Sequence, residues 1–267
     1  QMDFLDPEIL GQQSYYAFRT RYAVIITANA AGGTHKYQKI VKFRNLAQLG
    51  KLVSPHSYRI LKKDCLDLPD KVFTKRTIEL SEEQHKAYSE MKANAITMLK
   101  GQSSTAVNVL TQLIRLHQIT CGHMKTDSGE VINLKNSRLD ELMQILGETT
   151  GKVIIWANYI YDIHSIEEAV KKEFGPGSYC TYYGGTKQED RQKCIKKFQD
   201  PENPIRFFIG NTQTGGYGIT LTEASTVIYY SNNYDLEKRI QSEDRAHRIG
   251  QKNKVLYIDL VAKGTVD

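Results

Sequence analysis

"KVIIWANYIYDIHSIEEAVKKEFGPG" occupies residues 152–177 and decides the fold class of the sequence around it. Its first five residues form a short apolar run, which is typical of a parallel strand buried on both faces. The following stretch places Ile163, Ile166 and Val170 on one stripe at helical spacing. Glycine and proline at 175–177 end this helix. A buried strand followed by an amphipathic helix predicts one repeat of an α/β sheet.

The same alternation continues to the end of the sequence. Further strands are predicted at 178–185, 205–210, 225–231 and 254–262, with helices at 188–198 and 235–249 between them. Asp235 is a plausible N-cap of the last helix, and Gly250 is a plausible C-terminal cap. Residues 131–267 are therefore expected to form a parallel sheet flanked by helices, with right-handed crossovers.

Residues 1–130 have a different pattern and are expected to form a separate, mostly helical segment. Helical periodicity is clear at 81–100, where Ser81 is a candidate N-cap, and again at 105–120. Residues 71–80 alternate as a strand or an extended connector does. We thus predict two domains, 1–130 and 131–267.

Charge is distributed unevenly between these two parts. Residues 1–130 carry 18 basic and 12 acidic side chains, whereas 131–267 carry 18 of each. No acidic residue lies between Glu8 and Asp64, a stretch with ten lysines and arginines. Such a stripe is either an ordinary solvated surface or a contact for a phosphate backbone. In the second case the candidate DNA-binding residues include Lys36, Lys39, Lys42 and Arg44.

Composition argues against membrane and secreted classes. No apolar run approaches the roughly 18 residues of a membrane span, and the N-terminus lacks the pattern of a signal peptide. None of the four cysteines forms a CxxC pair, which favours a reduced, intracellular setting. We expect the cytoplasm if the source is a bacterium or phage, and the nucleus if it is a eukaryote.

The stretch QSEDRAHRIGQ at 241–251 contains the candidate catalytic residues. On a continuous helix Gln241, Arg245 and Arg248 would share one face. The sequence has no GxxxxGK[ST] phosphate loop and no acidic metal-binding quartet of the D-E-x-H kind. Two arginines in such a chain suit donation to a nucleotide held elsewhere, because their forked, permanent charge matches phosphate oxygens. The local alternative is pairing of Gln241 with Arg245 and of Asp244 with Arg248.

A glycine-rich loop, GNTQTGGYGITL, lies at 210–221 between a strand and the next element. Its glycines permit a tight turn and a close approach to a phosphate, which makes Gly216 and Gly218 candidate nucleotide-binding residues. This signal is weak by itself.

These stretches together resemble the Swi/Snf-type ATPases of helicase superfamily two. QSEDRAHRIGQ looks like motif VI of that family, TQTGGYGITLTEASTVIYY like motif V and KVIIWANYIYDIHSI like motif IV. YYGGTKQEDRQKCIKKFQ is similar to the segment after motif IV, and LPDKVFTKRTIELSEEQHKAY is similar to the interlobe segment. Gln213 and Thr220 stand where the family usually has arginine and asparagine.

The resemblance implies two RecA-like lobes with ATP between them and duplex DNA across both. This chain would be the second lobe with the preceding helical protrusion and linker, and ATP with Mg²⁺ would be bound mainly by a first lobe outside it. Arg245 and Arg248 would reach the phosphates, and Gln241 would order motif VI. Candidate contacts with the DNA backbone are Asn158, Gly184, Gly185, Thr186 and Thr212.

The function predicted from the sequence is therefore one lobe of an ATP-dependent translocase on duplex DNA, inactive as an ATPase by itself. Alternatives are a lobe of a strand-separating helicase of the same superfamily, a non-enzymatic nucleic-acid-binding module and a scaffold lobe. We expect no metal held by the chain's own residues. His117, Cys121 and His123 cluster near a helix end as zinc ligands do, but no fourth ligand is evident.

Overall fold

The computed structural model of the chain describes residues 2–12, 14–29, 36–100, 106–126, 129–215 and 218–267. Its residues form two compact units, Gln1–Leu66 and Asp67–Asp267. The predicted division at residue 130 into a helical protrusion and a lobe stays a prediction. The boundary between the compact units lies at Leu66 and Asp67, because the strand at 71–78 belongs to the main sheet of the second unit.

The first unit contains a β-hairpin that the sequence did not predict. Its strands and helices are α1 (Met2–Leu5), α2 (Tyr15–Tyr22), β1 (Ala23–Asn29), β2 (Lys36–Phe43), α3 (Leu46–Val53), a 3-10 turn (Ser54–His56) and α4 (Lys62–Cys65). Strands β1 and β2 are antiparallel, and the register shifts between Val24 and Ile25. Every residue of β2 is exposed, so no alternation of apolar and polar residues marks this strand in the sequence.

The second unit is built on a six-stranded, entirely parallel sheet, as predicted for this half of the chain. The strands, in the order in which they lie side by side, are β3 (Lys71–Ile78), β10 (Val255–Ala262), β9 (Ala224–Tyr229), β6 (Lys152–Trp156), β8 (Phe207–Gly210) and β7 (Tyr179–Tyr182). The segment at 71–80, which the sequence left as a strand or a connector, is thus an edge strand paired with β10 along its whole length.

The helices of this unit are α5 (Glu82–Lys100), α6 (Ala106–Thr120), α7 (Ser137–Glu148), α8 (Ile160–Phe174), α9 (Gln188–Gln199), α10 (Thr212–Gly215) and α11 (Leu236–Ala246). Helices α7 and α8 pack on one face of the sheet and α9 and α11 on the other, whereas α5 and α6 pack against each other. Two short strands, β4 (His123–Lys125) and β5 (Val131–Asn133), pair antiparallel between α6 and α7.

Strand β6 shows how the core is divided between the two faces. Val153 and Ile155 pack in a cluster with residues of α7 and α8, whereas Ile154 and Trp156 pack in a second cluster with residues of α9 and α11. All four side chains are fully buried, and each burial stabilises the fold by roughly 1.5–3 kcal/mol. A central strand with helices on both faces needs this unbroken apolar run, which is why the sequence predicted it.

One expectation about the cysteines differs from the structure. Cys180 on β7 and Cys194 on α9 are joined as a disulfide, with Cα atoms 5.7 Å apart, while Cys65 and Cys121 are free. Nothing in the sequence indicated this disulfide, because Cys180 and Cys194 are 14 residues apart and form no CxxC motif. The turn between the strand and the helix brings the two sulfur atoms together.

Candidate functional site

The helix that carries Arg245 ends sooner than the sequence predicted. Asp235 is its N-cap as expected, and its side chain accepts hydrogen bonds from the N–H groups of Glu237 and Lys238. The helix ends at Ala246, so Arg248 lies in the following turn and not on the helix face of Gln241 and Arg245. The expected helical face of three residues is therefore wrong in its geometry.

The turn that carries Arg248 is held by a buried glutamine. The side-chain amide of Gln251 donates to the carbonyl oxygens of Thr222, Ala224 and Ala246 at 2.9, 3.0 and 3.1 Å. The N–H of Gln251 also bonds to the carbonyl oxygen of Arg248 at 3.0 Å. These contacts close the chain into a turn, because one amide ties the end of α11 to the start of β9.

Arg245 and Arg248 nevertheless lie near each other. Arg245 is half-buried, and its Nη1 donates to the carbonyl oxygen of Ile219 at 3.3 Å. Burial lowers the pKa of Arg245, and the positive charge of Arg248 lowers this pKa further. Arg248 is exposed and forms no ion pair with any residue that the structure describes. Two neighbouring guanidinium groups form a site that is suited to an anion.

Gln241 and Asp244, the predicted local partners of these arginines, each have another contact among the described residues. Asp244 lies 3.4 Å from the ammonium group of Lys71, and the amide of Gln241 donates to Glu237 at 2.9 Å. Gln241 is half-buried and points back along its own helix. These contacts compete with the predicted local pairing, which stays an alternative.

The glycine-rich loop lies against the helix that carries Arg245. The N–H of Leu221 bonds to the carbonyl oxygen of Arg245 at 2.9 Å, and the Ile219 carbonyl accepts from the guanidinium. Gly218 has a φ of 71°, a left-handed conformation that favours glycine. Gly216, the second predicted nucleotide-binding glycine, falls outside the described residues.

The predicted DNA-side residues follow three neighbouring strands. Asn158 follows β6, Thr212 follows β8, and the turn of Gly184 and Gly185 follows β7. Strands β6, β8 and β7 are adjacent and parallel, so their carboxyl ends lie at one edge of the sheet. The structure therefore brings these residues to one edge, where ligands of open α/β sheets bind.

Two of these side chains are engaged inside the protein. Thr212 is buried, and its hydroxyl accepts a hydrogen bond from Asn233 at 3.4 Å. The hydroxyl of Thr186 donates to the carbonyl oxygen of Thr181 at 3.4 Å and accepts from the N–H of Tyr183 at 3.3 Å. Both threonine hydroxyls thus support their loops from within, which leaves backbone groups as the natural contacts for a ligand.

The Gly184–Gly185 turn has its own support from helix α9. Nη2 of Arg191 donates to the carbonyl oxygens of Tyr183 and Gly184, both at 2.9 Å. A Cβ at Gly185 would lie 2.6 Å from the far end of the Tyr183 ring, so this ring would have to shift to admit a side chain. The turn is consequently rigid on one side and open at Gly184, where a Cβ would meet nothing within 4 Å.

The predicted basic residues of the first unit lie on and after β2. Lys36, Lys39 and Lys42 are exposed, and the register places Lys39 and Lys42 on one face of the hairpin and Lys36 on the other. Arg44 is also exposed and donates to the carbonyl oxygen of Thr20. The exposed cations of β2 are therefore distributed over both faces of the hairpin.

Sequence reasoning assigned no role to Arg191, Asn211 or Gln251. Asn211 bonds through its side-chain amide to the carbonyl oxygens of Ala157 and Asn158 at 3.1 and 2.8 Å. A signal for it existed, because a polar residue directly after a buried strand lies at the edge where sites form. For Arg191 and Gln251 the partners are backbone carbonyl groups, and bonds to backbone groups leave no spacing pattern of side chains in the sequence.

The cluster that resembled the start of a zinc site is divided in the structure. His117 lies 3.1 Å from Asp267, whereas His123 lies 3.2 Å from Asp162. Within the described residues, no group of three or more histidine, cysteine or acidic side chains is arranged to hold a metal ion. Each histidine instead faces its own buried carboxylate.

Comparison with known proteins gives the family. The model of the SNF2-related domain matches residues 2–125, and that of the helicase conserved C-terminal domain matches residues 135–250. The chain belongs to the SNF2-related family. The resemblance of the motifs to this family is therefore confirmed. The predicted fold class, a RecA-like parallel sheet flanked by helices, is confirmed as well.

Individual relatives agree with this assignment. The chain is 30% identical to the CHD3-type chromatin-remodeling factor CHR7 of Arabidopsis thaliana, over 91% of this chain and 21% of the relative. It is 29% identical to the putative ATP-dependent helicase/translocase YwqA of Bacillus subtilis, over 99% of this chain and 28% of the relative. The chain therefore spans only about a quarter of the length of such relatives.

A solved structure extends the similarity to three dimensions. The SWI2/SNF2 ATPase core of Sulfolobus solfataricus in complex with double-stranded DNA matches with a TM-score of 0.59 and 27% identity. The match covers 99% of this chain and 54% of that one. Among the described residues, no helix combines the length and the apolar character that crossing a membrane requires.

Proposed function

We propose that this chain is the second motor lobe, with its preceding protrusion and linker, of an ATP-dependent translocase on duplex DNA. The observation that carries the proposal is the pair of neighbouring guanidinium groups, Arg245 and Arg248, beside the glycine-rich loop. Like charges held together repel each other, so an anion that binds both stabilises the pair. The triphosphate of ATP is such an anion.

The arginines act on a nucleotide that another lobe binds. The sequence has no phosphate loop of its own, so ATP and Mg²⁺ are bound mainly by a first RecA-like lobe outside this chain. Arg245 and Arg248 then stabilise the charge that develops during phosphoryl transfer. Gln241 helps to order motif VI, and Gly216 and Gly218 stay candidate nucleotide-binding residues from the sequence.

Duplex DNA binds along the edge at which β6, β8 and β7 end. Asn158, the Gly184–Gly185 turn with Thr186, and the loop at Thr212 contact its phosphates, partly through backbone N–H groups. In the first unit, Lys36, Lys39, Lys42 and Arg44 are separate candidate contacts with DNA phosphates. Since phosphates carry no base identity, this binding does not depend on sequence.

The parent protein is expected inside the cell, in the cytoplasm of a bacterium or the nucleus of a eukaryote. Relatives named as an ATP-dependent helicase/translocase and as chromatin-remodeling factors support the class of activity.

The decisive experiment measures ATP hydrolysis by a protein that joins this chain to its first lobe, with duplex DNA, single-stranded DNA and no DNA. Stimulation by duplex DNA without strand separation supports the proposal. Preference for single strands, with separation of a duplex, would favour the strand-separating helicase instead. No hydrolysis under any condition, with DNA binding intact, would leave a nucleic-acid-binding module.

A further inference from the structure

The loop at Asn158 is held by hydrogen bonds to both of its backbone polar groups. The N–H of Asn158 donates to Oγ of Ser231 at 2.8 Å, and its carbonyl oxygen accepts from Asn211 at 2.8 Å. The carbonyl of Ala157 accepts from the same Asn211 amide at 3.1 Å. The backbone of Asn158 is therefore held by Ser231 and Asn211.

Behind Ser231 lies a buried carboxylate that sets the direction of these bonds. The hydroxyl of Ser231 donates to Oδ2 of Asp162 at 2.9 Å, and Nδ1 of His123 lies 3.2 Å from Oδ1 of the same group. All three side chains are at most 2% exposed. The Ser231 hydroxyl therefore donates its one proton to Asp162 and accepts the N–H of Asn158 with a lone pair. His123 is thus packed against the carboxylate that accepts from Ser231, within ion-pair distance but without a hydrogen bond between Nδ1 and Oδ1.

A second histidine reaches the same loop from the other side. Nδ1 of His117 lies 2.9 Å from the hydroxyl of Tyr159, and its Nε2 lies 3.1 Å from Oδ1 of Asp267. The His117 imidazole therefore links the Tyr159 hydroxyl to the carboxylate of Asp267. Burial raises the pKa of Tyr159, which keeps its hydroxyl protonated.

The two histidines and the loop belong to different parts of the family match. His117 is on α6 and His123 on β4, both within the SNF2-related match, whereas residues 157–159 lie within the helicase C-terminal match. We propose that His117 and His123 are positioning residues for DNA binding, His117 through Tyr159 and His123 through Asp162 and Ser231. The inference rests on the proposed function, since Asn158 is proposed there to contact DNA.

Stability alone does not account for these groups. Buried ion pairs are often no better for stability than apolar residues of the same size. Here the contacts that begin at His117 and those that begin at His123 both end on one loop at the sheet edge, residues 157–159. A role in positioning that loop explains why the polar groups converge there.

The test compares variants of the full 267-residue chain by fluorescence anisotropy with a labelled DNA duplex and by thermal melting. Ser231→Ala and Tyr159→Phe each remove one hydroxyl that holds the loop. Loss of one hydrogen bond predicts an affinity for DNA that is about three- to tenfold weaker. Ser178→Ala and Tyr179→Phe are matched controls, because these hydroxyls bond to Gly175 and Glu167, away from the loop. The controls should leave the affinity within about twofold of the original.

A double-mutant cycle with Asn158→Ala separates positioning from general destabilisation. If Ser231 acts through Asn158, Ser231→Ala should weaken binding much less once Asn158 is alanine. Ser231→Thr keeps the hydroxyl and should restore the affinity. If Ser231→Ala does not fold, Tyr159→Phe carries the same test, since Tyr159 is only half-buried.

The results distinguish the inference from the function on which it rests. Weaker binding by Asn158→Ala, with unchanged binding by Ser231→Ala and Tyr159→Phe, overturns the positioning role and leaves the proposed DNA site intact. Full additivity in the cycle also overturns it. Unchanged binding by Asn158→Ala contradicts the proposed DNA site, and the positioning role with it.

Discussion

Replacement of the two arginines should affect catalysis far more than folding. Arg248 is exposed and has no ion pair with a described residue, so Arg248→Ala should change the free energy of unfolding by less than about 0.5 kcal/mol. Arg245→Ala removes the hydrogen bond to the carbonyl of Ile219, whose net contribution is about 1 kcal/mol. Removal of a like charge next to Arg248 partly offsets this loss.

The expected loss of transition-state stabilisation is larger than the change in the free energy of unfolding of either variant. Loss of an arginine finger lowers kcat by about 10³–10⁵-fold in phosphoryl-transfer enzymes. We expect each variant near the lower end, about 10³-fold, because the other arginine remains. This corresponds to about 4 kcal/mol of transition-state stabilisation, several times the cost to folding.

The assay uses the protein that contains both lobes, with duplex DNA at saturation. It measures kcat, affinity for DNA and melting temperature for each variant. Arg248→Lys retains the charge but not the fork, and should fall between Arg248→Ala and the original protein. Lys254→Ala is the control, since Lys254 is an exposed cation that pairs only with the exposed Asp70 among the described residues. Near-normal kcat in both alanine variants would refute the role of these arginines in hydrolysis.

Three further predictions follow from the charges and the missing phosphate loop. The 267-residue chain alone should not hydrolyse ATP, with or without DNA; robust turnover in a steady-state assay would contradict the assignment of the nucleotide to another lobe. Its affinity for DNA should fall by on the order of one decade or more between low and physiological salt, and a flat anisotropy titration series would return the basic stretch at 9–63 to ordinary surface. Although burial acts to raise it, the hydrogen bond with His117 and the charge of Arg138 lower the pKa of Asp267 to about 2. The stability from this ionised carboxylate is present above pH about 4, is lost as the pH falls towards 2, and amounts to about 2 kcal/mol. Asp267→Asn should therefore lower the melting temperature at pH 7 and flatten its dependence on pH between about 4 and 2; an unchanged acid transition would argue against it.

The fold class and the family were accessible from the sequence because both depend on local patterns. The apolar run at 152–156 predicts a buried parallel strand, and the stretch at 241–251 matches one specific motif. The hairpin of β1 and β2 was missed, because both faces of β2 are exposed and no alternation of apolar and polar residues marks this strand.

Which side chains meet was decided by the tertiary structure. Helical spacing predicted one face for Gln241, Arg245 and Arg248, but the three hydrogen bonds of the Gln251 amide close the chain into a turn after Ala246. Likewise His117 and His123 look like partners in sequence, yet each faces a different buried carboxylate. Periodicity carries information only about neighbours within a few residues. Contacts between strand ends depend on the order of strands in the sheet, so the amide of Asn211 and the hydroxyl of Ser231 find the Asn158 loop only once β6, β8 and β9 lie side by side.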